Sequence, residues 1–150
     1  MRSMLTLGIL AALTTSVIAG QAFAQDAKTI ALYKGKDRLE KLIAGAKKEG
    51  QVTIYSSMIV DQALRPLAEG FRKKYPFMKT KYLRENPPQL LQKLLSEARG
   101  KRHVADVLET TGLEIRARKA NVIQPFYSPE SEGFDKTWRD PSGYSSPTRF

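Results

Sequence analysis

Three short stretches carry the side chains best suited to hold a small charged ligand: Ser56 with Ser57, Arg84, and Glu109 with Thr110. Hydroxyls and a guanidinium donate to carboxylate, phosphate or an anion-chelated metal, and charge on either partner strengthens the bond. Glu109 would either help to coordinate a cation or accept a local hydrogen bond. Ser56 and Ser57 have a plainer use in satisfying turn amides, and Arg84 as surface charge. Thr111 fits a helix cap better than a ligand contact, because Glu114 three residues on completes a capping box. His103 is the only histidine and stands in the basic turn Gly100-Lys101-Arg102-His103, where a solvated side chain is expected. The chain has no cysteine. Cysteine-dependent catalysis, a Cys-His pair and multi-histidine metal sites are thereby excluded, and no cofactor is expected. An enzymatic reading would be a small exported hydrolase with Glu109 or Asp106 as base, and neither has a recognisable partner in the sequence.

The elements that position these residues follow a regular order. Leu39, Leu42, Ile43 and Ala46 recur at helical spacing within residues 36–49, and Gly50 stands where a helix stops. Gln51 to Ser57 suits a first strand. A second helix is expected from Asp61 to Lys74, starting at Pro66 or distorted before it, since proline has no amide to donate. Met78 to Leu83 alternates as a strand does. Asn86-Pro87-Pro88-Gln89 then opens a helix with Leu90, Leu91, Leu94, Leu95 and Ala98 on its buried face, Asn86 capping and Gln89 reaching back. Val104 to Leu108 reads as a third strand, and the capping box at Thr111 to Glu114 opens a short last helix. Strands separated by helices of this length predict an α/β fold with a parallel sheet flanked by helices. In such sheets ligands sit beyond the carboxyl ends of the strands, which is where Ser56, Arg84 and Glu109 fall. After Asn121 the pattern becomes turn-rich, with Trp138 and Tyr144 as expected packing anchors.

Arg2, the apolar run Leu5 to Ala19 and Ala22-Phe23-Ala24 have the layout of a secretory signal peptide cleaved after Ala24. The run is too short and too rich in Thr, Ser and Gly for a membrane span. Cleavage would leave 126 of the 150 residues, 25–150, as one domain. Without cysteine there is neither a disulfide framework nor a lipid attachment point, so a periplasmic location is expected. The net charge of +10 favours anionic partners or surfaces. Nucleic acid is not among them: no reading motif is present and export would separate the two.

The segments Ala46-Lys47-Lys48-Glu49-Gly50, Val52 to Ser57, Phe71 to Pro76, Leu90 to Arg99, Ala105-Asp106-Val107 and Asp140 to Tyr144, in this order and spacing, resemble bacterial extracellular solute-binding proteins of ABC importers. The similarity is to the group that includes the ferric-iron-binding proteins. It implies a periplasmic-binding-protein-like (type II) first lobe with the second lobe missing. The implied role is capture of a small-molecule or metal-complex solute, without catalysis, for a membrane permease, by a protein expected to be monomeric. In that family two lobes close on the solute by a hinge, and ferric-binding members take most of their tyrosine ligands from the second lobe. Ser145-Ser146 stand where the family has an aromatic residue after Tyr144.

Overall fold

The computed structural model describes residues 29–148, so the signal peptide expected over residues 1–24 lies outside the described residues. Strand β1, Gln51–Ser56, is central, with β2, Lys79–Arg84, on one side and β3, Val107–Glu109, on the other. Both pairings are parallel, as alternating strands and helices dictate. Among the described residues, the helices that flank or connect the strands are α1 Arg38–Glu49, α2 Arg65–Lys74, α3 Pro87–Arg99 and α4 Glu114–Lys119.

The main core forms on one face of the sheet. Tyr55 pairs in register with Leu83 and Leu108, and packs with Leu90, Leu91 and Leu94 of α3 and with Leu113 and Ala117 around α4. Leu64, Ala68 and Met78 are buried outside that cluster. Helix α1 forms as its periodicity predicts, but none of its residues is buried, and Leu42 and Leu39 remain 36% and 58% exposed. It is held instead by Arg38, which donates to the Tyr127 carbonyl at 2.7 Å.

The exit of α1 requires glycine. Gly50 has φ 69°, and its amide closes the helix on the Ala46 carbonyl at 2.7 Å. An added Cβ would meet nothing within 4 Å there, so the cost of a substitution is conformational. Gly50→Ala is expected to destabilise the protein by about 1 kcal/mol, while Gly45→Ala, inside the same helix with open space around it, is expected to stabilise it by about 0.5–1 kcal/mol. Urea melts of the two variants check the opposite signs.

The start of α2 follows the expectation set by Pro66, whereas the caps, the start of β3 and the role of Trp138 are corrected. Ahead of α2, Val60–Leu64 forms a π-helical turn in which the Arg65 amide reaches the Val60 carbonyl. Pro66 sits in the first turn of α2, where its missing amide is tolerated. Neither expected capping box forms. Asn86 caps α3 with its backbone carbonyl, which accepts from the Gln89 and Leu90 amides at 3.0 Å each. Helix α4 is entered through Leu113, with no side-chain cap, and Thr111 is exposed. Strand β3 begins at Val107 rather than Val104. At its entry the Asp106 carboxylate accepts from the Thr53 amide at 2.7 Å while the Asp106 amide donates to the Thr53 carbonyl at 2.9 Å. Trp138 is no packing anchor: it lies in a single 3-10 turn and is 68% exposed. Tyr144 is half-buried beneath the Arg118 guanidinium, 4.5 Å from the ring centre.

Candidate functional site

Parallel pairing places three of the sequence-predicted residues in one row. Ser56 is in register with Arg84 on β2 and with Glu109 on β3, so Arg84, Ser56 and Glu109 form the last rung at the carboxyl edge of the sheet. Residues in register on parallel strands share a face. Ser57 and Thr110 follow directly, and the Ser57 hydroxyl donates to Thr110 Oγ1 at 3.2 Å. All five residues therefore lie at one edge. His103 is exposed in the turn that leads into β3, at the opposite edge, as expected.

Within the row the roles diverge. Ser56 is fully buried; its hydroxyl donates to Glu109 Oε2 at 2.6 Å and accepts from the Met58 amide at 3.0 Å. That geometry assigns Ser56 to shaping the turn and orienting Glu109, with no path for a ligand to its oxygen. The backbone adds two links: the Ser57 amide donates to the Glu109 carbonyl and the Glu85 amide to the Ser56 carbonyl, both at 3.1 Å. Arg84 is exposed, and Ser57, Glu109 and Thr110 are half-buried. The groups that are not fully buried are thus the Arg84 guanidinium, the Ser57 and Thr110 hydroxyls and the Glu109 carboxylate, which Ser56 orients.

The helix behind Arg84 contributes less than its position suggests. Pro87 and Pro88 have no amide hydrogens, and the next two amides already bond to the Asn86 carbonyl. Only the dipole of α3 remains to favour an anion there. Pro87-Pro88 was the sequence signal for this.

The sequence marked Asp140 to Tyr144 as a turn shared with the resembled family, but not as a candidate site. The Asp140 carboxylate accepts from the Ser142 amide and hydroxyl at 2.9 and 2.5 Å, and from the Tyr144 and Ser145 amides at 2.9 and 3.2 Å. Burial pushes the Asp140 carboxyl up, but these donors outweigh it and hold it below the usual carboxylate range. Asp140, Tyr144, Arg118 and Glu114 line an open hollow of about 250 Å³, and Glu114 is the first residue of α4. Among the described residues no group of three or more His, Cys, Asp or Glu is placed to hold a metal ion. None of their helices is long and apolar enough to cross a membrane.

The parallel sheet flanked by helices is an α/β fold, consistent with a single periplasmic-binding-like lobe. No protein-family model and no curated protein matches the chain. Among solved structures, it is similar to the Trichodesmium protein IdiA (FutA), determined in complex with iron and citrate ligands. The two are 24% identical with a TM-score of 0.54, over 63% of this chain and 30% of that one. The chain thus spans under a third of that protein's length, and the likeness is one of fold.

Proposed function

We propose that this chain is the solute-binding component of an ABC importer, with residues 25–150 forming one lobe that acts in the periplasm. It captures a small anionic or metal-containing solute for a membrane permease and performs no catalysis. The observation that carries this reading is the Arg84–Ser56–Glu109 rung with the Ser57–Thr110 pair beyond it. Arg84, Ser57 and Thr110 contact the solute, and Ser56 holds Glu109 in place. The similar Trichodesmium structure contains iron and citrate, which supports a carboxylate or a carboxylate-chelated metal as the class of solute. The two bases that a hydrolase reading would use are engaged, Asp106 by the Thr53 amide and Glu109 by the buried Ser56 hydroxyl, which disfavours that reading.

The row is open on its outer side, so this lobe supplies one wall of the site and closure requires a second. Calorimetry of the chain with citrate, ferric citrate and phosphate is expected to show dissociation constants weaker than about 0.1 mM, a gain of less than about 5.5 kcal/mol. Tighter binding by this chain alone would contradict the one-wall reading. Turnover of ester or phosphate substrates would contradict the non-catalytic one.

A further inference from the structure

The amino-terminal edge of the sheet, opposite the candidate site, gathers cations. In a parallel sheet every helix that leads into a strand ends at that edge. Helix α1 ends in Lys47-Lys48-Glu49 and α2 in Arg72-Lys73-Lys74, while β2 begins with Lys79 and α3 is followed by Lys101 and Arg102. Residues 71–81 contain five basic residues and no acidic one. One cation in a last turn suffices to complement a helix dipole; three in succession, continued by Lys79 and Lys81, exceed that need.

The cations surround aromatic rings. Phe71, Tyr75 and Phe77 form a chain with centroids 5.0 and 6.0 Å apart. Lys47 lies over Phe77 and Lys74 over Tyr75, each 5.5 Å from the ring centre. The Lys79 amide bonds to the Gly50 carbonyl at 2.9 Å, which joins the end of α1 to the start of β2. Lys47, Lys48, Lys73, Lys74 and Lys79 are all exposed.

We propose that this edge docks on a bilayer carrying anionic phospholipid. Lysines on flexible stems suit a diffuse layer of phosphates better than one oriented ligand, which would select arginine forks. Exposed Phe71 and half-buried Tyr75 and Phe77 among cations suit the headgroup level. A single-stranded nucleic acid would need open ring faces for stacking, and lysines already occupy one face of Tyr75 and one of Phe77. Docked in this way, the rung at Arg84 faces away from the bilayer, separated from it by the length of a six-residue strand, about 17–20 Å.

The test is co-sedimentation of the full chain with phosphatidylcholine vesicles that carry or lack about 30 mol% phosphatidylglycerol, across a salt series. Binding is expected to require the anionic lipid and to weaken with salt, whereas an apolar amino-terminal segment would bind both vesicle types. Lys73→Glu with Lys79→Glu is expected to weaken binding at least about tenfold, and Lys36→Glu with Lys136→Glu, an equal change of charge elsewhere, by less than about twofold. If circular dichroism shows that the glutamate pair does not fold, Lys73→Gln with Lys79→Gln is read instead, with a loss of about threefold or more. Equal losses in the two pairs would overturn the proposal. So would displacement by inorganic phosphate at matched ionic strength, or tighter binding to duplex DNA than to the vesicles.

Discussion

Leu90→Ala is expected to lower the unfolding free energy by about 2–5 kcal/mol, because deleting a buried leucine loses both transfer energy and packing around the cavity left behind. Leu90 has no exposed surface and lies in the cluster with Tyr55, Leu91, Leu94, Leu113 and Ala117. That cluster is small, and a domain of this size has a net stability of only about 5–15 kcal/mol. The variant should therefore unfold at much lower urea than the parent. Leu67→Ala is the matched control: Leu67 is 55% exposed, and its truncation is expected to cost less than about 1 kcal/mol. Equal losses at the two positions would mean that the core does not lie between α3 and the sheet. The effect extends to the candidate site, since Leu90 belongs to the first turn of α3, a few residues beyond Arg84.

The second large effect concerns the buried pair beneath the sheet. Tyr55, 2% exposed, donates its hydroxyl to Glu97 Oε1 at 2.7 Å, and Lys93 approaches the same oxygen at 3.0 Å. Burial and then the Glu97 carboxylate push the Tyr55 phenol up to about 12. A phenol raised in the folded state contributes stability that is full below its unfolded value near 10 and is lost as pH rises toward 12. A shift of that size corresponds to about 2–3 kcal/mol. Burial pushes the Glu97 carboxyl up as well, but the hydrogen bonds from Tyr55 and Lys93 outweigh it and hold the group below the usual carboxylate range. Its contribution is present above that range and is lost as pH falls through the lowered value. Unfolding free energies measured from pH 9 to 12 should fall more steeply in the parent than in Tyr55→Phe, whose difference isolates the phenol from lysine titration. Parallel curves would contradict the pair. Glu97→Ala, which strands the buried Tyr55 hydroxyl, is expected to cost about 1–3 kcal/mol at neutral pH.

Legibility in the sequence followed the physics of each signal. The β-branched and aromatic run from Val52 to Tyr55 and the helical spacing of the leucines in α3 gave the elements, and their alternation gave the parallel sheet and the edge for the polar row. Pro66 announced the disturbance before α2, because a missing amide acts locally. Signals that depend on a tertiary competitor were lost. Asn86 and Thr111 have capping side chains, yet backbone carbonyls and Leu113 occupy those roles. The Asp106 carboxylate meets the Thr53 amide at the entry to β3, so the apolar residues Val104 and Ala105 do not begin it. Glu97 lies seven positions after Leu90, on the buried face of α3, and a carboxylate there signals a buried donor that sequence alone could not identify as Tyr55. At the candidate site the residue types and the edge were legible. The division between Ser56, buried as a support, and Ser57, facing outward, depends on which side of the last rung each hydroxyl takes.

The proposed place of solute binding is the carboxyl edge of the sheet. Amide-resolved NMR of the chain at about 0.15 M salt, where surface attraction is screened beyond roughly 8 Å, with added citrate and then ferric citrate, tests it most directly. Citrate should shift the amides of Ser57, Glu85 and Thr110, and paramagnetic iron should broaden the same resonances first. Arg84→Ala should weaken both effects. Broadening centred on Lys73 to Lys79, or spread evenly over the chain, would contradict the assignment of the site.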